Sequence, residues 1–104
     1  MSRNAKPGLP ELDVLLHEPA RLRVLALLAA VEEADFMWLL RQSGLSRGNL
    51  SVQMGRLEEA GIVGTARELV GKRARTRYRL TEDGLQALTA YKRSMVDLLA
   101  AIPD

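Results

Sequence analysis

The spacing of apolar residues changes from a helical to an alternating pattern after Gly61 and becomes helical again after Thr81. Side chains on a helix share a face every three or four positions, whereas side chains on a strand share a face every second position. Residues 62–70 and 76–80 follow the strand pattern, and the segments on either side follow the helical one. The chain is therefore predicted to be mainly α with a small β-hairpin, in the order helix, helix, helix, hairpin, helix.

The predicted helices begin at residues that favour helix N-termini. Pro19 suits a first helical position, where its missing N–H is not needed. Asp35, Ser46 and Thr81 suit the N-cap, because their side-chain oxygens accept a free backbone amide. The helices are predicted over residues 19–33, 36–43, 47–60 and 82–101.

The second and third predicted helices are joined by a short turn that contains Gly44, which is the helix-turn-helix pattern. In the third helix, Leu50, Met54 and Leu57 recur at helical spacing and are expected to face the core. The remaining positions of this helix and its first turn are then expected to form an outward face that reads base edges, with hydrogen bonds and methyl contacts. Its candidate residues are Ser46, Arg47, Gly48, Asn49, Ser51, Val52, Gln53 and Arg56.

The hairpin is strongly basic. Residues 67–79 contain six Lys or Arg residues and one acid, Glu68. A local excess of one charge attracts a polyanion, and cations at a hairpin tip reach phosphates without being buried. The alternative is a charged edge that only deters strand-to-strand aggregation, but this does not explain so many cations in so short a segment. The candidate residues of this segment are Lys72, Arg73, Arg75 and Arg77.

Five short segments occur in an order that is specific as a set, although none of them is decisive alone. They are residues 17–23 (HEPARLR), 35–36 (DF), 45–51 (LSRGNLS), 57–63 (LEEAGIV) and 71–84 (GKRARTRYRLTEDG). With these segments the sequence resembles winged-helix transcriptional regulators of the MarR/ArsR type over residues 17–91. The resemblance implies a winged helix-turn-helix fold and homodimers that bind near-palindromic operators in double-stranded DNA. It further implies that the third helix enters the major groove and that the hairpin, or wing, reaches the backbone or minor groove.

The last predicted helix carries an apolar stripe with the three-and-four spacing of a heptad seam. In so small a protein its outer half extends beyond the winged core, so a second copy of the chain is expected to cover it. The alternative is that the helix folds back on its own domain. The predicted dimer interface, completed from the N-terminal side, comprises Leu12, Leu16, Leu88, Tyr91, Met95, Leu98 and Ile102.

These features divide the chain into three parts. Residues 1–10 contain two prolines and no periodic pattern, and are predicted to be a flexible arm. Residues 11–84 are predicted to form the winged helix-turn-helix domain. Residues 85–104 are predicted to form the C-terminal dimerisation helix.

The composition argues against several other classes of protein. The chain has no cysteine and one histidine, His17, so we expect neither a thiolate metal sensor nor any bound metal or cofactor. No apolar run approaches the roughly 20 residues that span a bilayer, so we expect no membrane contact and a cytoplasmic location. No phosphate-binding loop or supported catalytic set is visible, so we do not expect an enzyme.

Several alternatives stay open from the sequence. We expect a DNA-binding regulator, most simply a repressor, but a winged-helix protein-interaction module without specific DNA binding is the main alternative, and structured RNA is another possible partner. Trp38 lies in a wholly apolar run, residues 36–40, and either contacts a partner or ligand or packs over the core. The sequence does not identify an effector molecule.

Overall fold

The computed structural model describes residues 9–104, so residues 1–8 of the predicted arm lie outside the described residues. The described part forms four α-helices and a small antiparallel sheet, in the order expected. The elements are α1 (Pro19–Ala30), β1 (Ala34–Asp35), α2 (Phe36–Ser43), α3 (Arg47–Glu59), β2 (Val63–Val70), β3 (Arg73–Leu80) and α4 (Glu82–Ala100).

The predicted N-caps are confirmed by the geometry of the helix starts. The side chains of Asp35, Ser46 and Thr81 each accept a hydrogen bond from the backbone amide three residues later, and Pro19 occupies the first turn of α1. Gly44 ends α2 in the left-handed conformation with φ 72°. Each cap satisfies an amide that has no partner within its helix, so the boundaries follow from local chemistry.

The prediction for the end of α1 is wrong by three residues, because a strand follows it. α1 ends at Ala30, and Ala34 and Asp35 pair with Tyr78 and Arg77 of β3. The sheet therefore has three strands in the order β1-β3-β2 instead of the two of a simple hairpin. A strand of two residues is too short to show an alternating pattern in a sequence.

The hairpin loop is shorter than predicted. β2 and β3 pair from Val63 opposite Leu80 to Val70 opposite Arg73, which leaves only Gly71 and Lys72 in the turn. Gly71 has φ 66°, and none of the described non-glycine residues has a positive φ. A positive φ at the first position alone is the pattern of a type II′ turn, which matches the twist of paired strands.

The core lies between the helices and one face of the sheet. Leu50, Met54 and Leu57 of α3 are fully buried, as predicted, and pack with apolar residues of α1, α2 and the sheet. Tyr78 brings β3 into this cluster. Trp38 is half-buried and packs against the same cluster, which favours the core position for this residue.

The start of α4 is fixed against the end of α3 and the start of β2. The hydroxyl of Thr81 donates to the carbonyl oxygen of Gly61 at 2.6 Å. A Cβ at Gly84 would overlap the carbonyl oxygen of Ile62, so this position requires glycine. Further along α4, the Tyr91 hydroxyl and Nδ1 of His17 are 2.8 Å apart and hydrogen-bonded. None of the helices within residues 9–104 combines the length and the apolar character that crossing a membrane requires.

Candidate nucleic-acid interface

One face of α3 is turned away from the core, as helical geometry predicts once Leu50, Met54 and Leu57 are buried. The side chain of Gln53 on this face is half-buried, and the other candidate positions are exposed. The exposed positions are Ser46, Arg47, Gly48, Asn49, Ser51, Val52 and Arg56. This face combines a guanidinium at each end with amides and an apolar side chain between them, which are groups that contact base edges.

The two amides on this face are held by a residue of α1. Arg21 donates through Nη1 to Oε1 of Gln53 at 2.9 Å, and Nε2 of Gln53 donates to Oδ1 of Asn49 at 2.9 Å. Arg21 is itself held, because its Nε donates to the carbonyl oxygen of Leu15 at 2.6 Å. Arg21 is not among the site residues predicted from the sequence. It is 32 positions from Gln53, and no local pattern connects them.

The N-terminal end of α3 rests on α2. The guanidinium of Arg47 lies 5.9 Å from the centre of the Phe36 ring, within the range of a cation–π contact, and its Nη2 is 3.8 Å from Sδ of Met37. These contacts hold Arg47 over the apolar start of α2. They give Phe36 and Met37 a role that the sequence left unexplained.

The start of α3 and the first half of β3, next to the tip of the wing, lie on the same side of the molecule. Arg47 of α3 and Ala74, Arg75 and Thr76 of β3 line a common cleft of about 220 Å³, with the start of α2 as its third wall. A ligand that contacts the first turn of α3 is therefore also close to β3. This proximity is the geometric condition for reading DNA with the helix and the wing together.

The four candidate cations of the wing fall into two groups. Lys72 and Arg73 are exposed at the end of the hairpin. Arg75, in contrast, forms an ion pair with Asp35 at 2.8 Å, and Arg77 pairs with Glu33 at 3.0 Å and with Glu68 at 3.3 Å. A phosphate at Arg75 or Arg77 has to compete with a carboxylate, so among these four cations the uncompensated charge lies at the tip.

Asp35 connects α2 to the wing. Its carboxylate caps α2 through the amide of Trp38 at 2.8 Å and accepts from Nη2 of Arg75 at 2.8 Å. The hydrogen bond from the Trp38 amide and then the interaction with Arg75 hold the pKa of Asp35 below its usual value of 3.8, against the opposing effect of desolvation. The charged form of Asp35 therefore stabilises both the helix start and the position of β3.

A second surface lies between α1 and α4 and is almost wholly apolar. It is a groove of about 400 Å³, and its lining includes Leu22, Ala26, Leu85, Leu88 and Val96. Beyond it, α4 continues with Leu99, whose side chain is 56% exposed. An apolar surface of this kind on a small protein is typical of an interaction site.

The predicted dimer residues divide between this surface and the core. Leu16 and Tyr91 were expected to face a partner. Leu16 is instead completely buried in the core of the single chain and offers no surface to a second copy, whereas Tyr91 is largely buried there but still lines the groove between α1 and α4. Leu12, Leu88, Met95 and Leu98 are half-buried, and Ile102 is exposed just beyond the end of α4. The apolar positions with the largest exposure on the helix itself were not predicted, and they are Leu85, Val96 and Leu99.

Comparison with known proteins identifies relatives of this chain. A family profile described as "Winged helix DNA-binding domain" matches residues 20–99. An uncharacterized protein of Methanocaldococcus jannaschii, MJ0432, is 31% identical over 77 residues, which cover 74% of this chain and 84% of the relative.

Solved structures show the same fold. A transcriptional regulator homologue from Pyrococcus horikoshii OT3 superposes with a TM-score of 0.76 at 26% identity, over 83% of this chain and 85% of that chain. The reduced form of AbfR, solved bound to DNA, superposes with a TM-score of 0.67 at 25% identity, over 82% of this chain and 58% of that chain. These similarities confirm the predicted fold class and the resemblance to winged-helix transcriptional regulators.

Proposed function

This chain belongs to the family of winged helix DNA-binding domains, and on that premise we propose that it binds specific sequences in double-stranded DNA as a homodimer and represses transcription. The observation that carries the proposal is the common cleft between the start of α3 and the first half of β3 in the wing, lined by Arg47, Ala74 and Thr76. A helix that enters the major groove there brings the wing to the neighbouring backbone or minor groove.

The outward face of α3 supplies the sequence-reading groups. Arg47 and Arg56 suit guanine, whose major-groove edge accepts two hydrogen bonds from a guanidinium, and Val52 suits a thymine methyl group. Each good pair of this kind contributes roughly 1–3 kcal/mol of discrimination between bases. The exposure of these three side chains leaves them available for such contacts.

The wing supplies affinity that does not depend on sequence. Lys72 and Arg73 lie at the exposed tip and are placed to neutralise phosphates, with release of counterions. Arg75 and Arg77 contribute by exchanging a carboxylate partner for a phosphate, which is a weaker gain because an existing ion pair has to be broken.

The apolar surface of α4 supports the proposed homodimer. A second copy that covers the groove between α1 and α4 buries Leu88, Val96 and Leu99 and places two copies of α3 about a twofold axis. Such a dimer reads two half-sites, so its operator is a near-palindrome. A dimer bound across an operator excludes other proteins from that DNA, which makes repression the direct consequence of binding.

The test is selection of bound fragments from a randomised duplex library at a low and a moderate salt concentration. We expect enrichment of a symmetric sequence at both concentrations, with weaker total binding at the higher one. A folded protein that enriches no sequence at either concentration would contradict the proposal and would favour a protein-interaction module.

A further inference from the structure

The hydrogen-bond chain from Arg21 through Gln53 to Asn49 has a fixed polarity. A guanidinium carries only donors, so it can bind Gln53 only through the amide oxygen. The observed bond from Nη1 of Arg21 to Oε1 of Gln53, at 2.9 Å, has this orientation. The NH₂ group of Gln53 must then point away from Arg21, and it lies 2.9 Å from Oδ1 of Asn49.

The orientation of Asn49 follows from that of Gln53. Because Gln53 offers a donor, Asn49 accepts it with its oxygen, which leaves the NH₂ group of Asn49 as the donor available to a ligand. Arg21, the donor at the start of this hydrogen-bond chain, is itself held in place, because its Nε donates to the carbonyl oxygen of Leu15 at 2.6 Å. Asn49 is exposed on α3, so its amide is presented to whatever this face binds.

We infer that Arg21 is a positioning residue for sequence recognition, which makes Asn49 present N–H donors to DNA and so favours keto bases over amino bases. This inference rests on the proposed function. At the exocyclic position in the major groove, guanine and thymine present an O6 or O4 acceptor, whereas adenine and cytosine present an amino donor. N7 accepts in both purines and does not discriminate between them. An asparagine that reads adenine needs its oxygen for the adenine amino group, and in this chain Gln53 already occupies one lone pair of that oxygen.

The first test uses Arg21→Glu to reverse the direction of the hydrogen bonds that run from residue 21 through Gln53 to Asn49. A carboxylate only accepts, so Gln53 has to turn its NH₂ group toward it, and Asn49 then turns its own oxygen outward. Asn49→Ala identifies the base position at which the preference disappears. At that position we expect the unaltered protein to favour guanine or thymine by about tenfold, and Arg21→Glu to favour adenine or cytosine instead.

Two matched variants separate the effect of hydrogen-bond direction at position 21 from the effect of the change in charge on α1. Arg21→Lys keeps a donor-only group and is expected to retain the keto preference. Arg23→Glu makes the same change of charge on the same helix, but Arg23 bonds to the carbonyl oxygen of Ser43 and not to Gln53. It is expected to weaken binding to all duplexes without a change of preferred base. A keto preference that persists in folded Arg21→Glu, or that disappears equally in Arg21→Lys, would overturn the inference.

A second measurement needs neither DNA nor a variant. In the NMR spectrum of the unaltered protein, the side-chain NH₂ protons of Gln53 are expected to show nuclear Overhauser contacts to Asn49 and not to the guanidinium of Arg21. The opposite contacts would overturn the inference even if Arg21→Glu fails to fold. Enrichment of a specific duplex without a keto preference overturns this inference alone, whereas enrichment of no duplex overturns the proposed function as well.

Discussion

Three glycines lie within the helices of residues 9–104, and they differ in what a methyl group would meet. A Cβ at Gly48 or Gly55 of α3 has no atom within 4 Å, whereas a Cβ at Gly84 of α4 would overlap the carbonyl oxygen of Ile62. The first two glycines are therefore not required by packing within the chain. They lie on the exposed face of α3, where close approach of a DNA backbone would explain them.

We predict opposite effects of alanine at Gly84 and Gly55 on the free energy of unfolding. Gly84→Ala should lower it by about 3 kcal/mol, because the start of α4 has to move away from a backbone atom. Gly55→Ala should raise it by about 1 kcal/mol through higher helix propensity. Urea denaturation of both variants measures the two values. Equal stability of the two variants would show that α4 does not approach Ile62 as described.

Gly55→Ala also tests the interface on α3. If the backbone of α3 approaches DNA at this position, the added methyl group should weaken duplex binding although the protein becomes more stable. Fluorescence anisotropy with the duplex selected by the unaltered protein measures the affinity. Binding that is unchanged, or tighter, would remove Gly55 from the surface that contacts DNA.

Asp35 predicts a pH dependence of stability with a definite sign. The lowered pKa means that the folded state favours the carboxylate, so its stabilising contribution is complete above the usual value of 3.8 and is lost as the pH falls through the lowered pKa. Asp35→Asn retains an oxygen that can cap α2 but has no charge for Arg75. Its free energy of unfolding should lie below that of the unaltered protein near neutral pH, and the difference should shrink in acid. A difference that stays constant with pH would contradict this account.

The sequence predicts those helix boundaries and buried positions that depend on neighbouring residues. The caps at Asp35, Ser46 and Thr81 and the buried positions of α3 were predicted correctly, because each depends on residues one to four positions apart. The strand β1 was missed, and α1 was extended past Ala30, because two residues that pair with a strand over 40 positions away leave no local pattern.

In the candidate site, too, the features that depend on neighbouring residues were predicted and those that depend on distant contacts were missed. The exposed face of α3 follows from helical periodicity, so its residues were predicted. Arg21 was missed, because its contact with Gln53 exists only when α1 packs against α3. The ion pairs of Arg75 and Arg77 were missed for a related reason, since Asp35 and Glu33 reach β3 only through the pairing of β1.

The wing should act as an electrostatic element whose effect is concentrated at its tip. Replacing Lys72 and Arg73 by alanine should reduce the slope of log affinity against log salt concentration by about 1.8, or about 0.9 for each phosphate that is no longer neutralised. The matched control replaces Arg41 of α2 and Arg93 of α4, which are exposed and lie outside the lining of the groove between α1 and α4, and removes the same charge from other surfaces. Equal slopes for the two double variants would refute a specific role of the tip.

In the molecule as a whole, α4 is anchored at one end and is apolar on a side that residues 9–104 leave uncovered. Gly84 and Tyr91 are buried and fix its first half, whereas Val96 and Leu99 are each 56% exposed. The adjoining groove against α1 extends this apolar surface. Burial of such a surface is favourable by roughly 25 cal/mol per Å², so a second copy that covers it is stabilised.

Loss of the dimer should therefore abolish tight binding without changing the surface that reads DNA. Replacing Val96 and Leu99 together by glutamate places two charges on the apolar stripe, and we expect this variant to sediment as a monomer at micromolar concentration. Two half-sites bound by linked copies gain about 10²–10⁴-fold over one, so affinity for the symmetric duplex should fall by a factor in this range.

The matched control for this variant places the same two charges on another side of α4. Gln86 and Ala90 are exposed and lie away from the apolar stripe, so their double replacement by glutamate should leave both the sedimentation and the DNA affinity unchanged. Both double variants add the same negative charge, so a difference between them reports the loss of association and not simple repulsion from DNA. A monomeric sedimentation coefficient for the unaltered chain, combined with tight binding to a symmetric duplex, would show that each half-site is read independently and that α4 serves another partner.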